Sequence, residues 1–293
     1  MRSAAVLASH LLRLPSMSLL DRVIARLLAR APSPIVVRSR YGFLMSVGGD
    51  EFGADHVRAR VATGQYERGH LRLLAALLDA DSVVVDVGAN EGYVSLYLSA
   101  LLNAGGRVLA IEPHPANVAR LEAGLRLNQR TNVTVVPRAV SDCPGTLTLH
   151  SDGAWATVLD GVYPSAPTVE VETTTLDDLA RSGIDLTGLR LVKIDVEGHE
   201  LQVVCGGQET LRKHRPVVSF EVNLTLLAYA SYSVQELFDF FLDNDFRLLM
   251  EEEGKLIEFD SFRMRTMDFV AVPSELMPMC AERQLLAAPR VRA

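Results

Sequence analysis

The chain has 293 residues, 48% hydrophobic and 22% charged, with a formal net charge of -7. This is the composition of a globular protein large enough for one α/β core, and its acidic balance argues against a partner such as nucleic acid. Three scattered cysteines (Cys143, Cys205, Cys280) suggest neither a disulfide framework nor a zinc site. That cysteine usage makes a reducing, cytoplasmic location the expectation, and with no apolar run of sufficient length no membrane span is expected.

Taken in order, Met1–Arg30 is amphipathic and basic, with Pro15 interrupting it. It reads as one or two short helices covering an edge of the body, and membrane contact is not expected. The sequence divides into an N-terminal helical segment (1–34), one domain (35–273) and a tail (274–293). Ile35–Val47 has the pattern of a hairpin turning near Tyr41-Gly42, Asp50–Thr63 that of a short helix, and the segment up to Leu78 that of a further helix.

The stretch Val83-Val84-Val85-Asp86-Val87-Gly88-Ala89-Asn90-Glu91-Gly92-Tyr93 organises the rest. An apolar, β-branched run reads as a strand buried on both faces. It leads through a Gly-containing turn into the apolar segment Tyr93–Leu102, which reads as a helix. Glycines there let a ligand approach the backbone, and the helix start offers free N–H groups. The spacing is not the G-x-G-x-x-G of a dinucleotide site, since Asn90 stands where a middle glycine is expected.

The pattern then repeats. Strand Arg107–Glu112, helix Pro115–Asn128 and strand Val133–Pro137 argue a parallel sheet. Glu112 ends its strand about twenty residues past the glycine loop, where a carboxylate reaches ribose hydroxyls in nucleotide-binding folds. Ser141 and Asp142 are candidates for an adenine edge, or for an Asx turn before Pro144-Gly145. Thr146–His150 and Thr168–Thr173 alternate as strands of a hairpin. The irregular Ser151–Pro167 between them reads as a substrate lid or as a packed surface flap.

A helix over Thr175–Arg181, a strand over Leu189–Val196 and a helix over His199–Leu211 follow. Then come a strand over Val217–Val222 and a helix over Val234–Asp243. Phe246–Met250, Lys255–Phe259 and Met267–Val272 read as closing strands, the last two as an antiparallel pair. The run Lys193-Ile194-Asp195-Val196-Glu197-Gly198-His199-Glu200 is the most specific feature. Period-two alternation puts Asp195 and Glu197 on one face of a strand end, on the side where open α/β sheets bind ligands. Crowded carboxylates have raised pKa values, which suits a general base. Three readings stay open for Asp195, Glu197 and His199: catalysis or substrate positioning, with Glu197 favoured and Glu221 a further candidate base; a metal site; or a structural role, with Asp195 paired to Lys193 or capping the next helix.

Together the glycine loop, Ile111-Glu112-Pro113, Ala139-Val140-Ser141-Asp142 and the Lys193–Glu200 run resemble the FkbM-type methyltransferases. Gly64-x-Tyr66-Glu67 ahead of the loop fits as well. The resemblance implies a class I methyltransferase (Rossmann-like) fold. That fold is a doubly wound, mostly parallel seven-stranded sheet with an antiparallel closing strand. It also implies S-adenosyl-L-methionine as donor and O-methylation of a small-molecule or glycan hydroxyl. It puts Tyr66, Asp86, Gly88, Asn90, Gly92 and Tyr93 around the cofactor, Glu112 on its ribose, and Ser141 and Asp142 near adenine. Catalysis falls to Glu197, His199 and Asp195, without a metal. A non-catalytic cofactor- or glycan-binding member and a nucleotide-dependent oxidoreductase are the alternatives.

Overall fold

A computed structural model describes residues 35–47, 61, 68–152, 155–259, 261–262 and 266–287. The expected N-terminal helices, Tyr66, and the helix over Asp50–Thr63 (Val61 apart) lie outside the described residues. Ile35–Arg38 (β1) and Leu44–Val47 (β2) form the expected hairpin. Helix Arg68–Leu77 (α1) buries His70, Leu71, Leu73, Leu74 and Leu77, the inward stripe that helical periodicity requires.

Strand Val83–Val87 (β3) is buried at every position, and helix Tyr93–Leu101 (α2) follows its glycine turn. Next come Arg107–Ile111 (β4), Pro115–Leu127 (α3), Val133–Val136 (β5), Ala139–Val140 (β6), Gly145–Asp152 (β7), Trp155–Thr157 (β8), Thr168–Thr174 (β9) and Leu176–Arg181 (α4). Leu189–Ile194 (β10), Glu200–Cys205 (α5), Gln208–His214 (α6), Val217–Asn223 (β11), Leu224–Leu227 (α7) and Val234–Asp243 (α8) complete the central unit. Phe246–Glu252 (β12), Lys255–Glu258 (β13) and Thr266–Pro273 (β14) close it, and Met277–Glu282 (α9) lies in the tail.

The main sheet has the order β13-β12-β14-β11-β10-β3-β4-β5. β5, β4, β3, β10 and β11 are mutually parallel, and β14 is antiparallel to both its neighbours. This is the class I methyltransferase arrangement with one strand more than the seven expected. The addition is β13, which pairs with β12 rather than with β14. The expected hairpin between Lys255–Phe259 and Met267–Val272 is therefore corrected: β12 lies between the two strands. The expected helix over His199–Leu211 is corrected too, because Gly206-Gly207 splits it into α5 and α6. A Cβ on Gly206 would sit 2.0 Å from the Ser141 carbonyl oxygen, so this break lets the chain pass the Ser141 loop.

A second sheet, order β6-β9-β7-β8, carries the insert, with β7 and β9 antiparallel as expected. The described part of the tail belongs to the domain. Cys280 and Leu285 are buried, and Leu256 exchanges backbone hydrogen bonds with Leu285 and Ala287. Among the described residues no helix is long and apolar enough to cross a membrane.

Alternation along the central strands explains what stands at their carboxyl ends. Val83, Val85, Val87, Val192, Ile194, Val218 and Phe220 join one core; Val84, Leu191 and Val217 join the other. On that second face, Asp86 and Ser219 lie directly beside Lys193 in register, and Glu221 lies opposite Asp268. One face of the sheet thus turns polar where the parallel strands end.

Candidate active site

The glycine loop is held from both sides. Gly88 and Ala89 donate to the Ile111 carbonyl, and the Asp195 amide donates to Val87. Gly88 has φ +77°, and a Cβ there would stand 1.8 Å from the Asp195 carbonyl oxygen. Only glycine permits this contact between the loop after β3 and the loop after β10. Asn90 takes φ +51°, a region asparagine tolerates better than most residues. Gly92 (φ +90°) caps α2, where Tyr93 begins, buried.

Glu112 is buried at the end of β4 and ties two loops together. Its Oε2 accepts from the Asn90 amide at 2.9 Å; its Oε1 accepts from the His114 amide at 2.9 Å and from Asn117 at 3.3 Å. Burial pushes its pKa up, and those hydrogen bonds oppose the rise. A carboxylate offers about four acceptor positions. Three are taken, so one ribose hydroxyl fits without rearrangement, and a second would displace Asn117, the longest of the three.

Asp86 is fully buried. Its Oδ2 accepts from Ser95 at 2.6 Å, and its Oδ1 lies 3.6 Å from the Lys193 ammonium. Lys193 also pairs with Asp195 at 3.2 Å. The structural ion pair weighed for Asp195 is therefore present, and it extends to Asp86 beneath the glycine loop.

Asp195, Glu197 and Glu221 each bring one carboxylate oxygen to within 4.8 Å of the others. Glu197 stands at φ +53° and Gly198 at +100°. This turn is braced by Glu200, which accepts from the Gly198 amide and from the Tyr232 hydroxyl. Burial, then the charges of Asp195 and Glu200, push Glu197 up to about 8. Burial, then Asp195, Glu197, Asp268 and Glu200, push Glu221 well above its ordinary value. Burial and Asp195 raise Asp268 to about 7.

Among the described residues, His199 belongs to neither cluster of potential metal ligands. Its Nε2 lies 3.0 Å from Ser141 Oγ, which also donates to Asp142 at 3.2 Å. Burial lowers His199 to about 4, which keeps it neutral and makes it a weak proton acceptor. The structure therefore groups His199 with Ser141 and Asp142, beside the region assigned to adenine.

The insert closes over Glu197. Thr157 Oγ1 donates to the Glu197 carbonyl at 2.7 Å, and the Leu159 side chain packs on Gly198. A Thr157→Val variant is expected to lose about 1–3 kcal/mol of stability, because the Glu197 carbonyl and the Leu159 amide both lose their partner, as measured by urea denaturation. An unchanged midpoint would contradict the brace. Sequence reasoning missed Thr157, His70, Glu251 and Asp268. None carries a local signal, because each is brought in from a different element.

Glu197 has a consequence for the protein without ligand. Its folded pKa of about 8 exceeds the ordinary 4.5. Its contribution to stability is full below pH 4.5 and is lost as pH rises through about 8. The melting temperature should therefore fall between pH 6 and pH 8.5, and Glu197→Gln should flatten that fall. An equal slope in the variant would refute the assignment.

Residues 86–248 match the Methyltransferase FkbM domain family. The 2-O-methyltransferase NoeI of Sinorhizobium fredii is 29% identical over 188 residues, 58% of this chain and 71% of that protein. The hexuronic acid methyltransferase AglP of Haloferax volcanii is 30% identical over 148 residues, 50% of this chain and 58% of that protein. A crystal structure of an FkbM methyltransferase from Methylobacillus flagellatus aligns at TM-score 0.47 and 20% identity, over 74% of this chain and 53% of its own. The fold and the paired loops define a class I methyltransferase. The chain belongs to the FkbM methyltransferase family. The oxidoreductase alternative falls with that assignment.

Proposed function

We propose that the protein transfers the methyl group of S-adenosylmethionine to a hydroxyl oxygen of a sugar or small natural product. The observation that carries this reading is the direct contact between the glycine loop and the carboxylate loop, Gly88 against Asp195. A donor cradled by the first lies next to the proton acceptors of the second. The residues fit the cofactor: Gly88, Asn90 and Gly92 hold the loop in its positive-φ turn, and Glu112 retains one acceptor position. When bound, the cofactor supplies an electrophilic methyl group on a positively charged sulfur.

The protein's own task is then placement and proton removal. Glu197, with Glu221 beside it, takes the hydroxyl proton as the oxygen attacks. Asp195 is held by Lys193 and keeps the carboxylate loop in place. Thr157 and Leu159 cover the turn and exclude water. Ser141, Asp142 and His199 form the adenine side, and Asp86 supports the loop from below. NoeI and AglP, whose names specify 2-O- and hexuronic acid methylation, support a sugar-like acceptor.

The test is calorimetric titration with S-adenosylhomocysteine on wild type and Glu112→Ala, followed by labelled methyl transfer to neutral-sugar and uronic acid glycans. Binding that weakens in the variant, together with transfer, supports the reading. Binding without transfer to any acceptor favours a non-catalytic member. No binding to the wild type would reduce the claim to the fold.

A further inference from the structure

A second convergence of donor atoms lies beside the carboxylate loop and is not used by methyl transfer. His70 comes from α1, Glu251 from β12 and Asp268 from β14. One ring nitrogen and one oxygen of each carboxylate all lie within 4.8 Å of one another. His70 is buried, and Nδ1 faces Asp268 Oδ1 at 4.0 Å, an ion-pair distance too long for a hydrogen bond. His70 and Asp268 also line a polar pocket with Lys193, Asp195, Ser219 and Glu221.

We propose that His70, Glu251 and Asp268 form a binding site for a divalent transition-metal ion whose remaining coordination positions open onto this pocket. One imidazole nitrogen with two carboxylate oxygens suits manganese or zinc better than the all-oxygen shells that calcium and magnesium prefer. Such ions hold their ligands at about 2.0–2.2 Å, so donor atoms roughly 3–4 Å apart can share one. The separation of Nδ1 and Oδ1 sits at the upper end of that range and would shorten on binding.

The surroundings support the ligands. Ser219 Oγ lies 3.5 Å from His70 Nε2, so the ring's other nitrogen faces a hydroxyl that can accept its proton when Nδ1 binds a metal. Glu251 Oε1 accepts from the Gly254 amide, which anchors that carboxylate in its turn. Gly69 leaves room for it: a Cβ there would stand 2.8 Å from Glu251 Oε1. Glu221 lies opposite Asp268 in register and adds negative charge; Lys193, which lines the same pocket and acts on Asp268, opposes it but is also paired with Asp86 and Asp195. The binding claim does not depend on the methyl-transfer reading.

The full chain, dialysed against EDTA and then freed of it, is titrated with manganese chloride and with zinc chloride by calorimetry. Saturable one-to-one binding of either ion is expected. His70→Ala and Asp268→Asn should each weaken it at least tenfold, and Glu197→Gln should leave it intact. His70 packs in the core, so Glu251→Gln serves as a milder variant and should weaken binding as well. S-adenosylhomocysteine titration of every variant reports folding separately, so a failed cofactor site and a failed metal site are distinguished. The proposal is overturned by no saturable binding to the wild type. It is equally overturned by binding that survives in Glu251→Gln and Asp268→Asn, or by binding lost only in Glu197→Gln.

Discussion

Glu197→Gln is expected to lower kcat by about 10²–10⁴-fold while leaving affinity for S-adenosylhomocysteine within about twofold of wild type. The substitution keeps the side chain's shape and removes its capacity to take a proton. It also removes one negative charge from a crowded group, which should stabilise the protein above pH 8 because burial and Asp195 oppose that charge. A variant that is more stable and inactive is the signature of a residue strained for chemistry rather than for folding. In the wild type, kcat/KM should climb with pH toward about 8 as Glu197 ionises, and the climb should vanish in the variant. Should cofactor affinity fall in parallel with turnover, Glu197 would be a binding residue. Should both stay intact while Glu221→Gln abolishes turnover, the base would be Glu221.

The parallel core was legible because burial on both faces writes itself as continuous apolar runs. Val83–Val87 and Leu189–Ile194 leave little choice of period. The glycine loop was legible because it depends on local spacing. The Asp195–Glu197 pair was legible as a run, but strand alternation is corrected as its cause: β10 ends at Ile194 and Glu197 stands at φ +53°, so a turn brings the carboxylates together. What resisted reading was everything decided by pairing between distant segments. Nothing in Lys255–Glu258 says that its partner is β12 rather than β14. His199 looked like a base by its place next to Glu197, yet its ring meets Ser141, 58 residues away. His70 meets Ser219 across 149 residues. Gly206-Gly207 broke a helix whose apolar periodicity was sound, because the Ser141 loop needed the space. In each case a tertiary contact overrode or completed a local pattern.

Lys193→Met should be the most destabilising single change near the site, by about 3–5 kcal/mol, because it strands a buried charge. Asp86 is fully buried, with Ser95 as its hydrogen-bond donor and Lys193 as its counter-ion. Removing the cation leaves the Asp86 carboxylate inside the sheet with one hydroxyl. The reverse change is milder: after Asp86→Asn, Lys193 still pairs with Asp195, which is less buried. The double variant Asp86→Asn/Lys193→Met carries no charge at either position and should recover most of the loss, as replacement of a buried pair by neutral groups commonly does. Urea denaturation of the four proteins gives the cycle. The expected order of cost is Lys193→Met above both Asp86→Asn and the double variant. Equal costs for the two single variants would mean that Asp86 has another source of compensation. A Lys193→Met variant within about 1 kcal/mol of wild type would mean that the pair contributes little, and the polar row under the glycine loop would then be held by Ser95 and the strand pairing. If the order holds, the lysine of the Lys193–Glu200 run acts through geometry: it pairs with Asp86 below the loop and with Asp195 beside it, so that the two loops meet at Gly88.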